Sequence, residues 1–142
     1  MLAFPFVASQ MAGTDLSLYP VHLGPGATAG SEPEFTGDFQ WYIDYAARHE
    51  ADGAEGRLVS LHTFHEPWTS WEQHPRGSEV VVYLSGSLQL LQEQPDGTVT
   101  KVTLGTGQYA INPPGVWHTA DVCEPTTALF ITAGIGTEVR PR

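Results

Sequence analysis

The stretch Trp71-Glu72-Gln73-His74-Pro75-Arg76-Gly77-Ser78-Glu79-Val80-Val81-Val82-Tyr83-Leu84-Ser85-Gly86 decides the reading of this chain. Glu72 and His74 stand two apart, so on a strand they project from one face with Cα atoms roughly 7 Å apart, while Gln73 points the other way. Pro75-Arg76-Gly77-Ser78 is a turn. Beyond it Glu79, Val81 and Tyr83 share one face, and Val80, Val82 and Leu84 take the other. Downstream, Pro113-Pro114-Gly115 forms a rigid turn that starts the strand of His118 at a defined place. Two imidazoles and two carboxylates converging inside a β-structure make a candidate divalent-metal site: Glu72, His74, Glu79 and His118.

Around this stretch the period is two. Arg57–His65, Trp68–His74, Glu79–Leu84, Ser87–Glu93, Thr98–Leu104, Tyr109–Asn112, Val116–Val122 and Thr126–Ala133 read as short strands. Pro95-Asp96-Gly97 is a hairpin signal between two of them. No helix intervenes, so the expected architecture is an antiparallel sandwich or barrel. Gly105-Thr106-Gly107-Gln108-Tyr109-Ala110 imitates a dinucleotide-binding fingerprint, but the prolines that follow at once leave no room for its helix. It reads as a turn. Upstream, Asp38 caps a short helix over about 38–50, whose apolar positions Phe39, Tyr42, Ile43, Ala46 and Ala47 follow helical spacing; Gly53 and Gly56 end it. Residues 1–36 carry loop signals, and Gly134 to Arg142 read as a tail crossing the surface or reaching a partner subunit.

These spacings resemble the two motifs of the cupin superfamily, Gly-x5-His-x-His-x3–4-Glu-x6-Gly and Gly-x5-Pro-x-Gly-x2-His-x3-Asn. The first stands here as Glu72-Gln-His74-x4-Glu79-x6-Gly86, the second as Gly107-x5-Pro113-x-Gly115-x2-His118-x3-Val122. The resemblance implies an all-β fold, a double-stranded β-helix (the cupin jelly-roll barrel), with an irregular N-terminal arm and one short helix. It implies one cupin domain over 1–142: arm and helix over 1–56, barrel over 57–134, tail over 135–142. It transfers the ligand set as His74, Glu79 and His118, with Glu72 in the fourth position, where the family has a histidine. Glu66 and Val122 replace a glycine and an asparagine that bear no metal. A second carboxylate makes the site harder, favouring Fe(II), Mn(II) or Zn over Cu(I).

Function follows by the same resemblance: a metal-dependent enzyme of dioxygenase, isomerase or decarboxylase type on a small polar molecule. Glu72 then serves as general base where it is not a ligand. The alternative is a non-catalytic binder of a small ligand, with or without metal. Tyr83, which shares the face of Glu79, and His62 and Phe64, on the preceding strand, are the expected substrate contacts. Trp68, Trp71, Trp117 and Tyr109 read chiefly as packing. His22 and His49 read as solvated, and His65 as facing away from His62.

Composition excludes other classes. Six Lys+Arg against 16 Asp+Glu give 142 residues a formal charge of −10, which argues against nucleic acid and anionic membranes. The single Cys123 excludes a disulfide framework and CxxC zinc sites, and no basic neighbour activates it. The opening Met1 to Ser9 has no basic region and is interrupted by Pro5, so neither a signal nor a span is expected and the cytoplasm is the default. Edge strands of a small jelly roll need cover, and the resemblance implies a homodimer.

Overall fold

The structure, a computed structural model, describes residue 9 and residues 11–142; most of the opening apolar segment lies outside them. Eleven strands and one α-helix follow in chain order. These are β1 (Val21–Gly24), β2 (Thr28–Ser31), α1 (Phe39–His49), β3 (Arg57–Phe64), β4 (Ser70–Gln73), β5 (Glu79–Ser85) and β6 (Leu88–Glu93). After them come β7 (Val99–Leu104), β8 (Tyr109–Asn112), β9 (His118–Val122), β10 (Thr126–Thr132) and β11 (Glu138–Pro141). One sheet runs β2-β1-β3-β10-β5-β8, the other β11-β4-β9-β6-β7, and every pairing is antiparallel. The expected jelly roll is the observed one.

Alternation builds the interior. On β5 the buried residues are Glu79, Val81 and Tyr83, and on β10 Thr126, Ala128 and Phe130. Val81, Tyr83, Leu88, Leu90, Leu104 and Phe130 belong to one cluster in the barrel interior. Burying each such side chain stabilises the fold by about 1.5–3 kcal/mol before chain entropy is charged against it. Gly86 turns the chain from β5 to β6 at φ +97°, where a Cβ would sit 2.6 Å from the Thr126 Cα. Only glycine fits there.

The helix starts where Asp38 accepts the Trp41 backbone N–H at 2.9 Å. Its buried pair is Trp41 and Tyr45, packed with Leu58 and Phe35, rather than the stripe the spacing predicts. Phe39 and Ile43 of that stripe are exposed, while Phe39, Tyr42 and Ala46 turn toward the barrel mouth.

Two expectations for the chain ends are corrected. The arm is not irregular throughout: β1 and β2 extend the first sheet, with Val21 opposite Val59. The tail is a strand too, β11, which covers the β4 edge with Val139 opposite Glu72. β1, β2 and β11 hold four residues each and contain or adjoin glycine or proline, which reads as loop. His22 and His49 are likewise not solvated. Their rings stack with centroids 3.5 Å apart, His22 accepting or donating at 2.6 Å with both Tyr45 Oη and Asp52 Oδ2. His49 pairs with buried Glu32, which also takes Arg48 at 3.0 Å. This network ties the arm to α1.

Candidate metal centre

Register brings the predicted residues together. Glu72 on β4 lies directly opposite His118 on β9. Glu79 lies between Thr132 on β10 and Asn112 on β8 in one cross-strand row. His74 follows β4 immediately and is 4% exposed; His118 is fully buried. The Nε2 atoms of His74 and His118 stand 3.1 and 3.2 Å from the two oxygens of Glu79. Ligand atoms of Glu72, His74 and His118 all lie within 4.8 Å of one another.

Hydrogen bonds on the far side of each group fix what it presents to the centre. His118 Nδ1 stands 3.1 Å from the Val116 carbonyl, which can only accept, so Nδ1 carries the proton. Thr137 Oγ1 gives its one proton to the Gly134 carbonyl at 2.8 Å, so it accepts from His74 Nδ1–H at 2.8 Å. With the proton fixed on Nδ1, each ring directs Nε2 inward. Neither Nε2 has a hydrogen-bond partner, although both are buried. The Glu79 contacts are close but badly directed for hydrogen bonding. Glu79 itself is held by Asn112 Nδ2 at 3.0 Å and Thr132 Oγ1 at 2.7 Å, one donor on each oxygen.

Lone pairs facing a carboxylate at this range repel unless a metal ion or a proton lies between them. The residues present thus fit a divalent ion: nitrogen and oxygen donors, buried, with outer partners on both rings and on Glu79. Burial opposes charge on Glu79, yet the His118 and His74 rings hold its carboxyl well below the usual range. Burial opposes charge on His118 as well, and Glu79 overrides it, raising the ring's pKa. Glu72 goes up, through burial and the neighbouring Glu79. In the metal-free protein the centre therefore gathers protons in place of a cation.

Above the centre lies a cavity of about 500 Å³. His62 and Phe64 line it, as do Glu72, His74 and Glu79. Burial lowers the His62 pKa. Tyr42 is pushed up to about 12 by burial and by Glu72 and Glu79. The expectation for Tyr83 is corrected. Its ring packs in the main core cluster, its hydroxyl donates to the Gly86 carbonyl, and it is not one of the residues lining the cavity. It shares the face of Glu79 but stands four residues further along the strand, past the cavity floor. Trp71 and Trp117 sandwich Arg140 at 5.4 and 4.4 Å, and Tyr109 is exposed. Trp68 does line the cavity. Asn112, Thr132 and Thr137 were not singled out by sequence; Asn112, just before Pro113 in the second motif, carried the one available signal.

No protein-family model matches this chain, and no curated protein matches it. Solved structures do. A stretch covering 68% of this chain and 26% of an oxalate decarboxylase superposes with TM-score 0.51 at 19% identity, so the chain spans about a quarter of that protein. The fold is that of the cupins. An uncharacterised double-stranded β-helix protein from Klebsiella pneumoniae is similar at TM-score 0.49 and 22% identity, covering 61% of this chain and 76% of the other. A cupin-2 domain protein from Shewanella frigidimarina gives TM-score 0.46 and 22% identity, covering 61% and 71%. In this barrel Glu72, His74 and Glu79 line the cavity, with His118 grouped beside them. Among the described residues no helix is long and apolar enough to cross a membrane.

Proposed function

We propose that this cupin binds a divalent metal ion through His74, Glu79 and His118, with Glu72 as fourth ligand, and uses it on a small molecule held in the adjoining cavity. The observation that carries the reading is the pair of buried, unpartnered Nε2 atoms facing the Glu79 carboxylate. The donor set suits Fe(II), Mn(II) or Zn. Such an ion supplies Lewis-acid or redox chemistry. The chain's own part is definite. Thr137 and the Val116 carbonyl orient the rings, and Asn112 and Thr132 hold Glu79. Glu72, raised by burial and by Glu79, is the group best suited to take a substrate proton when it is not bound to the ion.

The test is elemental analysis of purified protein, with His74→Ala and His118→Ala as controls. About one equivalent of metal, lost in both variants, supports the reading; none after reconstitution ends it. The alternative, a binder without turnover, draws support from the ring-rich, mainly apolar wall of the cavity. Ligand-dependent melting without O₂ uptake or product formation distinguishes it.

A homodimer belongs to the same proposal. The outer face of the first sheet carries Val59, Leu61, Val80, Val82, Leu129 and Ile131 in register, bordered by Tyr109 and Ile111. These eight residues are uncharged on a chain of net charge −10, so a second copy meets no like charge on this patch. Val82→Glu is expected to give monomers by light scattering; an unchanged mass would remove this face as the interface. The cytoplasm remains the proposed location.

A further inference from the structure

The cavity above the centre has a wall of rings and no cation. Phe64, Trp68 and Phe130 pack against one another with centroids 5.4–6.1 Å apart, and Phe39 and Tyr42 of α1 face them across the opening. Among the described residues no Lys or Arg lines it. Three of the chain's arginines are engaged elsewhere: Arg48 with Glu32, Arg140 with Glu93, Arg142 with Asp121. The charged groups that do face the space are carboxylates, Glu66 near the mouth and Glu72 and Glu79 at the base. His62 adds no charge, since burial among Phe64 and Phe130 lowers its pKa.

With no Lys or Arg in the lining, nothing offsets a carboxylate or phosphate on the ligand, whose desolvation would go uncompensated in a space lined by the Glu66, Glu72 and Glu79 side chains. Building on the cavity reading given above, we propose that this cupin selects an uncharged, mainly apolar ring-bearing molecule with one oxygen donor directed at the His74–Glu79 end, and rejects organic acids and phosphates. The expected small polar molecule is thereby narrowed to one polar end on an apolar body. The volume accommodates a ligand of about two fused rings with room to spare.

The test is isothermal titration of the metal-loaded full chain with 2-naphthol and 2-naphthoate at pH 7. The two share a ring system, and a phenolic hydroxyl titrates near 10, so the alcohol is neutral. We expect 2-naphthol to bind at least about tenfold more tightly. Equal or tighter binding of 2-naphthoate, or binding of neither at millimolar concentration, overturns the proposal. Phe39→Ser changes an exposed residue at the opening. It is expected to weaken 2-naphthol several-fold with metal content unchanged, and an unaltered affinity counts against the ring wall. Repeating the titration after chelation, with metal measured in parallel, separates the two readings. Preference for 2-naphthol in protein that never takes up metal leaves this inference standing and removes the metal; preference for 2-naphthoate in metal-loaded protein does the reverse.

Discussion

Replacing Thr137 by Val keeps the shape of the side chain and removes one hydroxyl. That hydroxyl accepts the His74 Nδ1 proton at 2.8 Å and passes its own to Gly134. Without it, His74 loses the partner that fixes its tautomer and aims Nε2 at Glu79. Loss of such an outer partner typically weakens metal binding by about 10–100-fold, which is about 1.4–2.7 kcal/mol. Thr137 is exposed, so global stability should fall by no more than about 1 kcal/mol. Competition titration with a fluorescent zinc chelator reads the affinity, and thermal melting of the metal-free protein reads the fold. Thr137→Ser retains the hydroxyl and should bind within a few-fold of the parent. Parental affinity in a folded Thr137→Val protein would refute the tautomer argument.

Further outcomes follow from the same structure. In the metal-free protein His118 and Glu72 are both raised, so their protonated forms contribute stability at acid pH that is lost as pH rises through the folded-state values. Glu79 is lowered, and its contribution, present above the ordinary carboxylate range near 4.5, is lost only as pH falls toward its folded value. Melting of metal-free protein should therefore worsen from pH 6 to 8, while metal-loaded protein should not; parallel curves would contradict this. Tyr83→Phe removes the hydroxyl bond to Gly86 and should cost about 1 kcal/mol of stability with metal and ligand affinity unchanged. Asp38→Ala removes the helix cap, costing about 1 kcal/mol and about 3 °C in melting temperature.

The barrel was legible because eight of its strands alternate over four residues or more between strong turn signals, as Glu79–Ser85 does after Pro75-Arg76-Gly77-Ser78. The strands that escaped, β1, β2 and β11, hold four residues each; β1 and β2 form a hairpin whose Gly24-Pro25-Gly26 turn reads as loop, and the partner of β11, β4, lies far back in the sequence. Site residues were legible where parity on a strand equals direction in space: Glu72, His74 and Glu79 all turn inward. Parity does not give depth along the barrel, which is why Tyr83 was misplaced beyond the cavity. Nor does it show who holds a ligand in place. Thr137 reaches His74 from 63 positions downstream, and Thr132 reaches Glu79 from 53. The His22–His49 stack escaped for the same reason, since the two rings come from a short strand and a helix end with no shared spacing.

Anomalous scattering from crystals grown after reconstitution with Fe(II), Mn(II) or Zn tests the centre most directly. The account predicts one strong peak about 2.0–2.3 Å from His74 Nε2, His118 Nε2 and a Glu79 oxygen. A featureless map between these groups, or a peak bound elsewhere while both nitrogens stay empty-handed, would contradict it.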